Sequence, residues 1–388
     1  MTRGDLSRTA AIVGVAESDE IGVVPHKSAL AHHAEAAHNA LADAGLRASD
    51  VDGLFTSGFS TLTTGEYLGI RPRFTDSTSV GGASFVLHVA HALAAINAGY
   101  CEVALITHGQ SGRSGRGRAA NAGGLGGPAT PQDEFETPYG IIGPPVSYGL
   151  ACSRYMHQYG RDRTRQALAE IAVSTRKWAQ LNPKALMRDP LSFDDYHNSR
   201  WIAWPFHLLD CCLVTDAGAA VVLTTAERAR DLARPPVWVL GAAEHHDHHV
   251  ISQMPDLTVT PAHDSGPRAL AMAGVALDDV DLAMIYDSFT YTVLITLESL
   301  GFCGPGEGPD FVAGQRTAPG GDFPLNTSGG GLSYTHPGMY GIFLVVEAVR
   351  QLRGECGVRQ VPGCKLTLVN GTGGILSSTG TVVLGTDL

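Results

Sequence analysis

Short apolar runs alternate along this chain with longer stretches of helical periodicity. The runs are four or five residues long and rich in Val, Ile, Leu and Ala, which is typical of strands buried on both faces. They are residues 11–15, 103–107, 219–223, 237–240 and 366–369. Helices of small residues are predicted near 82–98 and 341–353. This order predicts an α/β protein with parallel sheets covered by helices on both faces.

The sequence contains two copies of one design. Residues 40–52 (ALADAGLRASDVD) reappear as residues 269–281 (ALAMAGVALDDVD). In each copy a helix of small residues is expected to end at a glycine C-cap, Gly45 or Gly274, before a short loop and a strand. A helix, a strand and a glycine turn then follow in each copy. We therefore predict two similar halves that pack together around the small-residue helices.

The duplication divides the chain into an N-terminal half, residues 1–240, and a C-terminal half, residues 241–388. The N-terminal half carries an insertion from about 110 to 205, which opens with a Gly/Arg loop and continues into helical segments. An excursion of this kind from an α/β core commonly covers an active site. We expect the shape of the substrate to be recognised there.

Composition excludes several classes of protein. Hydrophobic residues make up 44% of the chain and charged residues 17%, which favours a folded protein. The net charge of −11 argues against nucleic-acid binding, and no apolar run approaches the roughly 18–20 residues that span a membrane. With no signal peptide at Met1, a cytoplasmic location is expected. Seven cysteines, two of them adjacent (Cys211 and Cys212), indicate buried, reduced thiols and no disulfide framework.

Candidate chemistry lies in four polar or glycine-rich segments at predicted strand ends and helix N-termini, where backbone N–H groups stabilise negative charge. They are residues 81–84, 286–291, 326–341 and 370–374.

These segments resemble the thiolase superfamily. Residues 326–341 (NTSGGGLSYTHPGMYG) are similar to its Asn…Gly-Gly…His-Pro loop, and residues 210–220 to its Asp-Gly-Ala-Ala stretch. Residues 286–289 (YDSF) stand where sterol-carrier-type thiolases have His-Asp-x-Phe, and residues 370–374 match the last glycine turn. The resemblance implies a thiolase-like fold: duplicated βαβ halves in a five-layer αβαβα core with an inserted loop domain.

The nucleophile of the thiolases is missing. Their reactive cysteine falls on Gly82, and the second cysteine of the biosynthetic enzymes falls near Asn370. Because neither residue can form a thioester, acyl transfer through a cysteine is not available at this site.

The tyrosine-rich loops, Gly82 and the run THPGMY at 335–340 together resemble the lipid-transfer-protein-type aldolases of steroid side-chain degradation, which are thiolase-like and lack the cysteine. This resemblance implies retro-aldol cleavage of a β-hydroxyacyl-CoA whose hydroxyl carbon lies on a steroid ring. The products would be a ring ketone and a short acyl-CoA such as propionyl-CoA. The CoA thioester is the substrate, and no cofactor is implied.

Cleavage needs a base, an acid and donors for the thioester enolate. Tyr291 and Tyr340 are predicted to hold the two protonation roles, and His336 with the backbone at Gly82 to face the thioester oxygen. Further substrate or oxyanion contacts are predicted for Tyr286, Asn326 and Gly373. The alternative is structural: Tyr291 packs as a core aromatic, while His336 and Asn326 order their loop.

Other hypotheses stay open at this point. Loss of the cysteine could leave a non-catalytic acyl-CoA or lipid carrier, or an acyltransferase with Ser84 or Cys303 as nucleophile. Residues 244–249 (EHHDHH) are interpreted as a solvated loop, with a metal site as the alternative. Arg113, Arg116 and Arg118 lie on a solvated loop or contact the CoA phosphates.

Two protein partners follow from the resemblances. Thiolases pair through an edge of the N-terminal sheet, which implies a homodimer. The steroid aldolases imply a second partner, an OB-fold domain attached to, or encoded with, the preceding enoyl-CoA hydratase.

Overall fold

A computed structural model describes residues 6–115 and 130–386, and these two stretches contain eleven strands and twelve α-helices. The strands are β1 (Ala10–Glu17), β2 (Gly53–Thr56), β3 (Phe74–Asp76), β4 (Val103–Ser111), β5 (Trp201–Ala203), β6 (Phe206–His207), β7 (Asp216–Thr225), β8 (Val237–His246), β9 (Leu282–Ile285), β10 (Leu366–Gly373) and β11 (Ser378–Gly385). The helices are α1 (Ala29–Ala44), α2 (Thr61–Leu68), α3 (Ser84–Asn97), α4 (Pro131–Phe135), α5 (Pro144–Tyr159), α6 (Arg161–Leu181), α7 (Phe193–Asn198), α8 (Ala226–Arg230), α9 (Ala262–Ala273), α10 (Thr290–Leu300), α11 (Gly308–Val312) and α12 (Gly341–Leu352).

Nine of the strands form a mixed sheet in the order β3-β2-β4-β7-β1-β8-β11-β10-β9. The prediction of parallel sheets was therefore wrong in part. Only β2–β3, β2–β4 and β9–β10 pair in parallel, and the other neighbours are antiparallel. The reason is local, because β10 turns into β11 without a crossover helix, and parallel neighbours require such a crossover.

The predicted layered α/β fold is confirmed. Among the described residues, the strands of the two halves pair with each other at β1 and β8, where two residue pairs join them. Helix α3 packs against β4 and β7 on one side and β8, β10 and β11 on the other, and α12 likewise contacts strands of both halves. Helix α1 covers the outer face of β1, β4 and β7, while α9 covers β8 and β11. The small-residue helices α3 and α12 thus form the buried central layer.

The duplication predicted from the sequence extends to individual contacts. Gly45 and Gly274 both follow their helices in the left-handed conformation, each with φ of 70°. Asp52 then accepts hydrogen bonds from the backbone at the start of β4, and Asp281 does the same at the start of β10. The repeated Asp-Val-Asp therefore fastens the next strand of each half.

The predicted division of the chain near residue 240 stays a prediction. Residue 240 lies within β8, so we place the junction in residues 231–236, just before that strand.

The predicted insertion leaves the sheet after β4 and returns at β7, and it contains α4 to α7 and the hairpin β5–β6. Arg116 and Arg118 of the predicted Gly/Arg loop lie outside the described residues. In the part of the chain that the structure describes, no helix has the length and apolar character needed to cross a membrane.

Candidate active site

A cavity of about 500 Å³ opens between the insertion and the strand ends of the C-terminal half. Its lining is mostly apolar, and a few polar groups stand at its inner end. The lining residues are Gly81, Gly82, Pro144, Pro145, Tyr148, Ile202, Leu208, Cys211, Cys212, Val214, Tyr286, Ser288, Phe289, His336, Gly338, Thr372 and Gly374. A concave, largely apolar pocket with few convergent polar groups is the usual form of a small-molecule site.

Tyr286 and His336 form a hydrogen-bonded pair at the inner end of the cavity. The Tyr286 Oη lies 2.9 Å from the His336 Nε2, and the backbone N–H of Tyr340 donates to the same Oη at 3.0 Å. Tyr286 follows β9 directly, whereas His336 lies on the loop before α12. One phenol therefore contacts an imidazole and the N-terminal end of the central helix α12.

Gly82 leaves the space that the Tyr286 ring fills. A Cβ atom placed on Gly82 would lie 2.4 Å from the Tyr286 Oη and 2.3 Å from its Cε2, far inside van der Waals contact. Any side chain at residue 82 therefore excludes Tyr286 from its present position. The phenol occupies the space next to the position where the thiolase resemblance puts the nucleophilic cysteine.

Burial sets the protonation of the pair. It raises the pKa of the Tyr286 phenol well above its usual value, and it lowers the pKa of the His336 imidazole to about 4. Both groups are neutral at pH 7. A neutral His336 with its proton on Nδ1 leaves its Nε2 to accept the phenol proton of Tyr286. A proton can therefore pass from the Tyr286 phenol to the His336 imidazole without either side chain carrying a charge for long.

The structure gives the side chain of Tyr340 a different environment from the one predicted. Its hydroxyl lies 3.1 Å from the Ser328 Oγ, and its ring stacks on His336 and Phe343. Tyr340 is fully buried outside the cavity lining. It contacts the site through its backbone N–H, which binds Tyr286, and through its ring, which stacks on His336.

Tyr291 is not brought to the cavity. It lies in the first turn of α10, fully buried, and its hydroxyl donates to the carbonyls of Leu257 at 3.1 Å and Ala151 at 3.3 Å. A phenol committed to two carbonyls of the insertion and the C-terminal half is a packing contact. We therefore propose a structural role for Tyr291.

Asn326 and Gly373 do not line the cavity but hold the backbone next to it in position. The Asn326 side chain binds both the N–H and the carbonyl of Ile285 at 2.8 Å, so it fixes the residue before Tyr286. At Gly373 a Cβ would meet the Val80 carbonyl oxygen at 1.8 Å, because the two loops cross there. The neighbouring Gly374, not Gly373, lines the cavity.

All seven cysteines are free thiols, as predicted. The prediction that all of them are buried was wrong for three, because Cys211, Cys212 and Cys303 are partly exposed. Cys211 and Cys212 line the cavity. Burial raises the pKa of the Cys211 thiol to about 12 and that of Cys212 further, which leaves both as unreactive thiols at pH 7.

The two alternative nucleophiles lie elsewhere. The Ser84 hydroxyl is buried and donates to the carbonyl of Gly81 at 2.6 Å. Burial raises the pKa of the Cys303 thiol to about 12. Neither residue lines the cavity.

Residues 244–249 differ from the predicted solvated loop, because 244–246 are the last residues of β8. Glu244 accepts a hydrogen bond from His91 Nε2 at 3.1 Å, while His91 Nδ1 contacts Asp76 at 2.5 Å. Asp76 in turn binds the backbone N–H of Thr78, at the start of the segment that leads to Gly82. Within the described residues no three potential metal ligands come together.

This bridge gives the protein a pH-dependent stability. The hydrogen bond to Asp76, with that to Glu244, raises the pKa of His91 from 6.5 to about 9. The stabilisation is therefore complete below pH 6.5 and is lost as the pH rises through 9. We expect thermal melts to show a loss of roughly 1–2 kcal/mol over this range, since partial exposure screens the pair. His91→Gln should flatten this dependence, and identical pH profiles for both proteins would contradict the assignment.

Sequence reasoning missed several residues of the site. Tyr148 reaches the cavity from α5 and donates to the Gly374 carbonyl at 3.2 Å. His108 of β4 hydrogen-bonds the carbonyl of Pro337 at 3.2 Å and so stabilises the loop of His336. Cys211 and Cys212 are also part of the cavity lining. The sequence shows that these two cysteines are adjacent, but no pattern in it indicates that they line the cavity.

Comparisons with known proteins show which family the chain resembles. Residues 243–386 match the model of the "Thiolase C-terminal domain-like" family. The chain is 38% identical to the 17-hydroxy-3-oxo-4-pregnene-20-carboxyl-CoA lyase of Mycobacterium tuberculosis, over 96% of this chain and 98% of the relative. It is 37% identical to the steroid side-chain-cleaving aldolase of Thermomonospora curvata, over 98% and 99%. The structure of the Ltp2–ChsH2(DUF35) aldolase superposes with a TM-score of 0.88 at 34% identity, covering 98% of each chain.

The fold and the comparisons thus define a lyase of the thiolase superfamily that acts on CoA thioesters. Within that superfamily the chain belongs to the family of steroid side-chain-cleaving aldolases.

Proposed function

We propose that this aldolase cleaves the bond between C17 and C20 of a 17-hydroxysteroid whose C20 carries a carboxyl-CoA thioester. The observation that carries the proposal is the Tyr286–His336 pair at the inner end of an apolar cavity, in place of a cysteine nucleophile. The relative from Mycobacterium tuberculosis is a lyase for 17-hydroxy-3-oxo-4-pregnene-20-carboxyl-CoA. We assign a substrate of this class to the present chain, with a 17-ketosteroid and propionyl-CoA as products.

The cavity lining fits a fused hydrocarbon ring system. Pro144 and Pro145 of α5, Leu208, Val214 and Phe289 present apolar surface around a volume of about 500 Å³. Each buried methylene of a steroid contributes about 0.8 kcal/mol to binding. Tyr286 and His336 are among the few polar side chains at the inner end, so the tertiary hydroxyl is drawn there.

Tyr286 takes the hydroxyl proton in this proposal. As the C17–O–H proton moves to the Tyr286 Oη, the phenol proton passes to the His336 Nε2, 2.9 Å away. The electron pair on the C17 oxygen forms the ketone, and the pair of the C17–C20 bond becomes the thioester enolate. The same relay then returns the proton to C20, which gives propionyl-CoA. Because burial disfavours a free phenolate, a concerted relay suits this pair better than a pre-formed base.

The thioester oxygen needs donors during this step. Gly82 lies just before the N-terminus of α3, and Gly374 follows β10, and both line the cavity. Backbone N–H groups at a helix N-terminus face the developing negative charge and cost no reorganisation. One such donor contributes about 3 kcal/mol to transition-state stabilisation.

Product analysis tests the proposal. The chain, co-expressed with the OB-fold domain of the hydratase partner, is incubated with 17-hydroxy-3-oxo-4-pregnene-20-carboxyl-CoA, and the 17-ketosteroid and propionyl-CoA are quantified by liquid chromatography with mass spectrometry. Equimolar products support the aldolase, and Cys211→Ala/Cys212→Ala should retain turnover. Binding without cleavage would instead indicate a carrier, and loss of turnover in the cysteine variant would indicate thiol chemistry.

We also propose that the chain works as a homodimer with an OB-fold partner. The short strand β3 is an edge of the sheet, and an unpaired edge favours pairing with a second copy. The related structure holds Ltp2 together with ChsH2(DUF35). A hydratase domain suits the chemistry, because hydration of an enoyl-CoA forms the tertiary hydroxyl that this enzyme cleaves.

Co-expression provides the measurement. Expressed alone, the chain is expected to give little active protein, and turnover should rise at least tenfold when the OB-fold domain of the associated hydratase is co-expressed. The assay compares equal concentrations of the two preparations, with light scattering for the mass of each complex. Full turnover by the chain alone would remove the partner from the account.

A further inference from the structure

Two tryptophans stand exposed on the hairpin β5–β6. The exposed fractions of Trp201 and Trp204 are 48% and 49%, and their ring centroids lie 5.3 Å apart. The other two tryptophans of the chain, Trp178 and Trp238, are buried at 5% and 4% exposure. An exposed pair of large aromatic rings is costly to leave in water, so it indicates a binding surface.

Arginines from the first turns of α6 cover these rings. The guanidinium of Arg165 lies 5.4 Å from the centroid of the Trp201 ring, and that of Arg161 lies 5.3 Å from the centroid of the Trp204 ring. Arg165 also contacts His207 at 3.2 Å. Among the residues that the structure describes, neither guanidinium pairs with a carboxylate. In a chain of net charge −11, two guanidinium groups without a carboxylate partner favour an anionic ligand at this place.

The hairpin is continuous with the cavity. Ile202, between the two tryptophans, lines the cavity, and so does Leu208, just after β6. Ile202 therefore faces the cavity, whereas the neighbouring Trp201 faces solvent. A long ligand that leaves the cavity over this rim would therefore meet aromatic rings and guanidinium groups next.

We propose that this tryptophan hairpin binds the adenine nucleotide end of the CoA thioester. The inference rests on the proposed function, which places the thioester in the cavity. The adenine ring stacks on Trp201 or Trp204, and the phosphates accept charge-assisted hydrogen bonds from Arg161 and Arg165. Stacking of a base on an aromatic side chain contributes about 1–3 kcal/mol.

An acidic partner protein is the competing occupant of such a surface. The nucleotide is favoured because its two chemical parts, a flat aromatic base and adjacent phosphates, match the rings of the hairpin and the guanidinium groups that α6 places over them. The shared wall at Ile202 also joins the hairpin to the cavity that takes the acyl group.

Tryptophan fluorescence tests the proposal directly. The active preparation is titrated with CoA and with adenosine 3′,5′-bisphosphate, and pantetheine serves as the probe that lacks the nucleotide. Saturable quenching by the first two probes, absent with pantetheine, is expected. Trp201→Ala/Trp204→Ala should abolish the quenching and raise KM for the CoA substrate at least tenfold, while kcat stays within about threefold.

Trp238→Phe is the matched control, since Trp238 also carries an arginine, Arg230, at 5.4 Å but is buried. It should keep both the quenching and the KM. Turnover with an unchanged KM in the double variant overturns this inference but leaves the aldolase intact. Quenching without turnover supports the nucleotide site and removes the proposed function. Loss of OB-fold binding with unchanged nucleotide binding overturns the inference in favour of the partner.

Discussion

Tyr286→Phe is expected to lower kcat by roughly 10²- to 10⁴-fold, the usual effect of removing a proton-transfer group. The substitution removes the Oη that contacts the His336 Nε2 at 2.9 Å and accepts the Tyr340 N–H at 3.0 Å. It also leaves a buried N–H without a partner, which costs about 1–3 kcal/mol of stability. Steady-state turnover and thermal melts of the variant measure the two effects separately.

The matched control is Tyr291→Phe. Tyr291 is equally buried and donates to carbonyls at 3.1 and 3.3 Å, but it lies away from the cavity. We expect a comparable loss of stability with turnover within about threefold of the wild type. An equal fall in kcat for both variants would return Tyr291 to the catalytic group, and a wild-type rate for Tyr286→Phe would remove Tyr286 from it.

Gly82→Ala is expected to lower kcat by about 10²-fold or more, because a misplacement of about 1 Å at the reacting group has that effect. Its Cβ would lie 2.3 Å from the Tyr286 ring, so the phenol must move. Gly82 has no left-handed backbone conformation, and the effect therefore comes from lost space alone. Turnover and the midpoint of thermal unfolding should both fall.

A double variant isolates the contact. In Gly82→Ala/Tyr286→Ala the ring is absent, so we expect less destabilisation by Gly82→Ala than in the wild-type background, with no recovery of turnover. Additive stability losses would show that the two residues do not compete for one space.

The central helices, most of the strands and the duplication could be predicted, because they depend on short-range patterns of small and apolar residues. The strand directions could not. The antiparallel neighbours of β1, β7 and β11 are set by which strands pair in the folded sheet, and local periodicity does not record that pairing.

The loops of the candidate site could also be predicted, but the direction in which each side chain points could not. Tyr286, Tyr291 and Tyr340 all lie in the segments chosen from the sequence. Tyr286 follows β9 and fills the space next to Gly82, whereas Tyr291 lies in the first turn of α10 and is buried in the core. The single sequence feature that favoured Tyr286 was its place in the histidine position of the His-Asp-x-Phe motif.

The most direct test of a proton relay without a covalent intermediate is a turnover experiment in D₂O. The relay delivers the exchangeable hydroxyl proton to C20, so propionyl-CoA should carry one deuterium at its α-carbon, and the mass of the protein should stay unchanged during turnover. Propionyl-CoA without deuterium, or a protein mass increased by an acyl group, would contradict the account.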